Sequence, residues 1–154
     1  MIILSKLADY GVIIATQLAA TPEQMTATQL AAVTVLPQTT VAKVLKLLAK
    51  GGIVTAVRGA TGGYRLARDA EDISISDIVA SIDGAFALTE CTSHAGPCAR
   101  NQFCPTRPHW AKINDAVALA LSQVTLAEMS TPEPKSSAMA LFAQFTPSAQ
   151  EVTP

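Results

Sequence analysis

Breaks in the chain between residues 21 and 63 leave it few ways to fold. Thr21-Pro22 closes one apolar-periodic segment, Pro37 opens another, and Gly51-Gly52 ends that one. Proline fixes its φ and lacks an amide donor, so it suits turns and first helical turns, whereas glycine stops helices. Only short helices fit between such breaks. Leu4, Leu7, Val12, Ile13 and Leu18 recur at helical spacing and predict a helix over 4–20. Thr26 suits the N-cap of a short second helix, TATQLAAVT. A turn around Thr34–Leu36 leads to QTTVAKVLKLLAKG, where Val41, Val44, Leu45 and Leu48 share a face that Gln38, Thr39, Lys43, Lys46 and Lys50 largely avoid.

Two short helices across a tight turn, the second presenting polar and basic side chains, form a helix-turn-helix pattern. Such a helix fits the major groove, with short polar side chains at base edges and lysines at phosphates. Many helical hairpins share the pattern, so the next segment decides. GIVTAVRGATGGYRLAR predicts strands Ile53–Val57 and Tyr64–Ala67 joined by a glycine-rich tip. A plain hairpin is the alternative, but directly after a candidate recognition helix, and with Arg58, Arg65 and Arg68 in it, the segment reads as a wing. Arg58 is placed for a minor groove, and Gly59, Gly62 and Gly63 permit close backbone approach to phosphates.

The charge distribution agrees. The formal net charge of −1 conceals seven Lys or Arg against two acids up to residue 68, a balance of +5, and four against ten beyond it, a balance of −6. Polyanion binding therefore belongs to the first half, although a solvated basic face stays open on charge alone.

The three cysteines, Cys91, Cys98 and Cys104, crowd into CTSHAGPCARNQFC among glycine, proline and polar residues. They read as loop thiols with metal or redox chemistry rather than core packing. In a reducing compartment such a cluster points away from a structural disulfide. No secretory leader or span of bilayer length is evident, so a soluble cytoplasmic protein without membrane contact is expected. Ser76 is read as the cap of SDIVASIDG, and Ile113, Val117, Leu121 and Val124 form the apolar stripe of a longer helix, with Trp110 one turn before it. A winged-helix core has no internal place for that helix, which therefore suits a second subunit. The expected architecture is mainly α with a small β wing. It comprises a winged helix-turn-helix domain over 1–84, a cysteine loop over 85–106, a dimerisation helix over 107–129 and a disordered tail over 130–154.

SKLADYG, the helix-turn-helix, VRGATGGYRLAR and the spaced cysteines together resemble the Rrf-type winged-helix transcriptional regulators, the IscR and NsrR relatives, over about residues 1–130. KLADYG, the RGATGGYRLAR wing and LTEC look most like the branch that regulates SUF-system iron–sulfur assembly genes. The resemblance implies a homodimer on double-stranded promoter DNA, with contacts from Gln38, Thr39, Thr40, Lys43 and Lys46 on the recognition helix and Arg58 and Thr61 on the wing. Some relatives carry a glutamate in that helix where this chain has Ala42, so their operator does not transfer.

It also implies an iron–sulfur cluster, 2Fe-2S or 4Fe-4S, held by Cys91, Cys98 and Cys104. Four ligands are usual, and the relatives' histidine three residues after the last cysteine is Arg107 here, which cannot ligate. Asp9, reaching across from the partner subunit, is the preferred fourth ligand, ahead of His109, His94, Glu90 or an exogenous thiol or water. The expected function is a regulator, a repressor when loaded, of iron–sulfur assembly genes, sensing iron–sulfur, redox or nitric-oxide status. The alternatives are a zinc-stabilised interaction module and a clusterless thiol redox sensor. An enzyme is not expected: no phosphate loop and no nucleophile–base pair is evident.

Overall fold

The computed structural model describes residues 4–59, 62–92, 98–99 and 103–131. Thr61, His94 and most of the expected tail lie outside the described residues. The elements run α1 (Lys6–Ala20), α2 (Ala27–Thr34), α3 (Gln38–Lys50), β1 (Val54–Val57), β2 (Gly63–Leu66), a 3₁₀ turn (Ala70–Asp72), α4 (Ile75–Asp83), α5 (Arg107–Gln123) and α6 (Leu126–Ser130).

Side-chain caps set most helix starts. Ser5 Oγ accepts the Ala8 N–H at 3.0 Å and donates to Asp83 Oδ1 at 2.8 Å, which fastens the start of α1 to the end of α4. Thr26 and Gln29 form a reciprocal capping box on α2, as the Thr26 reading anticipates. The cap of α4 differs from expectation. It is Ser74, not Ser76, because only Ser74 stands three residues before Asp77, whose carboxylate returns the bond to the Ser74 N–H. Pro37 is the N-cap of α3, one residue earlier than a first-turn position.

The core is one apolar cluster. Ala8, Ile14 and Ala15 of α1, Leu30 of α2, Val41, Val44, Leu45 and Leu48 of α3, and Ile78 of α4 are fully buried within it. The expected apolar face of α3 is thus the buried one. α1 lies at the centre and packs against α3, α4 and α6. Gly51 does more than end α3. A Cβ there would lie 2.3 Å from Ser81 Cβ, so the end of α3 can approach α4 only as glycine, while Gly52, at φ +71, makes the reversal.

β1 and β2 pair antiparallel, Val54 opposite Leu66 and Thr55 opposite Arg65, in a two-stranded sheet shifted by about one residue from the expected strands. The segment from 107 to 129 is two helices rather than one. α5 ends at Gln123, and a third capping box, Thr125 with Glu128, starts α6, whose Leu126 is fully buried. The turn between them is pinned to the core by Ile75 N–H on Val124 O (2.9 Å) and Leu126 N–H on Ile73 O (2.7 Å).

Among the described residues no single helix is long and apolar enough to cross a membrane.

Candidate nucleic-acid interface and cysteine loop

α2 and α3 are bent by 116° relative to each other, a helix-turn-helix geometry. Because Val41, Val44, Leu45 and Leu48 are committed to the core, the opposite face of α3 is left to solvent. Gln38, Thr39, Lys43 and Lys46 are exposed there with Ala42 and Lys50, and Thr40 is half-buried. No acidic residue interrupts this face, since α3 contains none. The structure therefore presents five of the expected contact residues together on one helix. Gln38 is also held: its Nε2 donates to Thr28 Oγ1, on α2, at 2.9 Å. Thr28 did not stand out in the sequence, because its partner lies ten residues away across a turn.

The wing projects Arg58 from the end of β1 and Arg65 from β2, both exposed. Arg68 instead serves the scaffold, since its guanidinium pairs with Asp77 at 3.1 Å and links the end of the wing to α4. Gly63 also differs from its expected role. Met25 and Tyr64 exchange backbone hydrogen bonds of 3.0 and 2.8 Å, and a Cβ on Gly63 would lie 2.8 Å from the Met25 carbonyl oxygen. Gly63 thus admits the wing's own neighbour, the segment at Met25 leading into α2, rather than a phosphate.

Cys91, Cys98 and Cys104 are each half-buried. Thr89 opens a tight turn around the first: its Oγ lies 3.1 Å from Cys91 Sγ, and Thr92 N–H bonds the Thr89 carbonyl. Thr106 Oγ lies 3.2 Å from Cys104 Sγ. Both ends of the loop attach to α5. Leu88 N–H donates to Asn114 Oδ1 at 3.0 Å, and Cys104 O accepts the Arg107 N–H at the first turn of α5. Asn114 is a second residue the sequence did not flag, since nothing local marks an asparagine on a helix as a tether.

Asp9 is exposed on α1, Glu90 beside Cys91 is exposed, and His109 and Arg107 are exposed on α5. Among the described residues no three Cys, His, Asp or Glu side chains stand close enough to hold a metal ion. Among the described residues of this chain, then, Asp9 and the three thiols are not gathered into a single ligand group.

α5 itself has no fully buried residue. Leu121 packs against the core, whereas Trp110, Ile113 and Leu119 are 40%, 46% and 58% exposed.

Comparison with known proteins places this architecture. By fold it is similar to CymR (YrzC), the global cysteine regulator of B. subtilis, with a TM-score of 0.66 and 26% identity over 84% of this chain and 97% of that one. It is also similar to T. potens IscR, with a TM-score of 0.65 and 26% identity over 95% and 93% of the two chains. By sequence it is 37% identical over 87 residues to protein rrf2 of Nitratidesulfovibrio vulgaris, covering 56% of this chain and 58% of that protein. It is 36% identical over 84 residues to the HTH-type transcriptional regulator IscR of Vibrio parahaemolyticus, covering 54% and 49%. The chain thus matches about half the length of these curated relatives. The model of the Rrf2 family, described as an iron-dependent transcriptional regulator, matches residues 4–132. With a winged helix-turn-helix as its fold and that match across most of its length, the chain belongs to the Rrf2 family.

Proposed function

We propose that this protein is a homodimeric, DNA-binding transcriptional repressor of iron–sulfur cluster assembly genes, acting in the cytoplasm and switched through its cysteine loop. α3 enters the major groove, with Gln38, Thr39 and Thr40 at base edges and Lys43 and Lys46 at phosphates. Arg58 and Thr61 act from the wing. Cys91, Cys98 and Cys104 are soft donors of the kind that hold iron–sulfur clusters, and Asp9 of the partner subunit completes the set. Their number and chemistry fit such a group, which supplies redox-sensitive chemistry when bound.

The observation that carries this reading is the attachment of the loop to α5 at both ends, through Leu88 on Asn114 and through Cys104 on Arg107. A loop ordered between those points bears on the helix whose exposed Trp110 and Ile113 suit a second protomer. Order in the loop then fixes the spacing of the two recognition helices. A ligand changes DNA affinity only through unequal affinity for the two states of the protein, and in this reading the loop with and without its bound group supplies them.

The test begins with anaerobic purification, visible absorption, and iron and sulfide quantification. DNA affinity of loaded protein is then compared with that of the Cys91→Ala/Cys98→Ala/Cys104→Ala variant on a promoter fragment of an iron–sulfur assembly operon. A difference of roughly 5- to 150-fold is expected, the usual range of coupling between sites. Equal affinities count against the switch. Colourless protein containing zinc favours a structural interaction module, and a response to peroxide without iron favours a thiol sensor.

A further inference from the structure

We propose that Thr28 and Gln38 act as one unit that reads an adenine in the major groove, Thr28 as the positioning residue and Gln38 as the contact. The inference rests on the reading of α3 as the recognition helix. Gln38 is the first residue of α3 and is exposed, and Thr28 is exposed on α2. Their 2.9 Å hydrogen bond spans the helix-turn-helix corner.

The valences left over identify the base. A glutamine amide has two N–H donors and one carbonyl acceptor. With one N–H spent on Thr28, the amide presents one donor and one acceptor side by side. Adenine offers the matching pair, N7 as acceptor and the N6 amino group as donor. Guanine offers two acceptors, N7 and O6, so Gln38 Oε1 would face O6 with no hydrogen between them. Cytosine offers only the N4 donor, and thymine only the O4 acceptor beside its methyl group. Among single bases, adenine alone takes both bonds.

Without Thr28, an exposed glutamine rotates about its side-chain torsions and must be ordered when DNA arrives. The threonine hydroxyl meets part of that ordering cost beforehand. The remainder of α3 offers no carboxylate to compete for cytosine N4, since QTTVAKVLKLLAK contains neither Asp nor Glu. The same bond joins α2 to α3, so the test must separate bracing of that corner from reading.

The full-length protein, with Thr28→Val, Thr28→Ser and Gln38→Glu variants, is used to select sites from a randomised double-stranded DNA pool. Thermal melting and affinity for non-specific DNA are measured alongside. Wild type is expected to prefer adenine at one position per half-site by roughly 5- to 150-fold, the range of a good bidentate pair. Thr28→Val lowers that preference by roughly 2- to 10-fold, the worth of one neutral hydrogen bond, with melting and non-specific affinity unchanged. Thr28→Ser restores it. Gln38→Glu moves the preference to cytosine, because a carboxylate accepts from N4.

The proposal is overturned if wild type selects a sequence but Thr28→Val leaves every position unchanged, or if Gln38→Glu retains adenine. It is equally overturned if the preference falls only in step with melting temperature, which is bracing alone. If wild type selects no sequence at all, the reading of α3 as a recognition helix fails with it.

Discussion

Val35 holds a backbone conformation that its own side chain opposes. It sits at φ 56 and ψ 34, the one non-glycine residue with positive φ among those described, and its side chain is 88% exposed. A β-branched residue in the left-handed region is strained by roughly 1–2 kcal/mol, and no burial offsets that here. Glycine adopts the conformation freely but loses more chain entropy on folding. Val35→Gly should therefore raise stability by about 0.5–1 kcal/mol, read as a higher urea midpoint with an unchanged slope. An unchanged or lower midpoint would show that the turn gains something from valine. The turn itself was legible from Pro37, but its left-handed residue was not, because valine is among the last residues that position would suggest. Thr26 could be read as a cap from its spacing to Gln29. Ser74 could have been read the same way, from its spacing to Asp77, had Ser76 not stood closer to the apolar run. Asn114 and Thr28 had no such signal, since their bonds are tertiary.

At the scale of elements, the helix-turn-helix was readable because each helix has its own punctuation and α3 a clean apolar face. The wing was readable to within about one residue, yet the reason for its glycines was not. Gly63 faces the backbone of Met25, whose carbonyl oxygen would lie 2.8 Å from an added Cβ. Backbone atoms cannot rotate aside as a side-chain tip does, so Gly63→Ala must part β2 from Met25 and weaken both of their hydrogen bonds. A cost of about 1–3 kcal/mol is expected, as for overpacking elsewhere, measured by chemical denaturation. DNA affinity should fall as well, since Arg58 sits on the hairpin that these bonds anchor. Full stability in Gly63→Ala would mean that the wing is not fastened at this point. α6 escaped the reading altogether. Five residues carry too little periodicity, and the available signal was local: Thr125 and Glu128 at capping-box spacing around the buried Leu126. A helix that short forms because Leu126 enters a core built by distant elements, which no local window contains.

Across the whole molecule, the division between a basic first half and an acidic second half was visible in the distribution of charge. The division of the long helix was not. Its stripe was read as one face, but in the folded chain Leu121 turns to the core while Ile113 stays 46% exposed, with Trp110 at 40% and Leu119 at 58%. Trp110 and Ile113 are the residues of α5 that a second protomer would cover together, because Leu119, nine residues on from Trp110, lies on the opposite side of the helix, and Ile113→Glu tests whether it does. On a permanently exposed surface such a change shifts stability by no more than about 0.5 kcal/mol. Inside a dimer interface it buries a charge without a partner, which costs roughly 3–5 kcal/mol. The expected outcome is a monomer by sedimentation velocity at concentrations where wild type is a dimer, with the helical circular dichroism preserved. Specific DNA affinity should collapse toward the non-specific level, because one recognition helix reads half of a two-fold site. A dimer that survives Ile113→Glu would place the interface on another face of the molecule. The cysteine loop, tied to α5 through Asn114 and Arg107, would then lie away from it and would need a different route to the recognition helix.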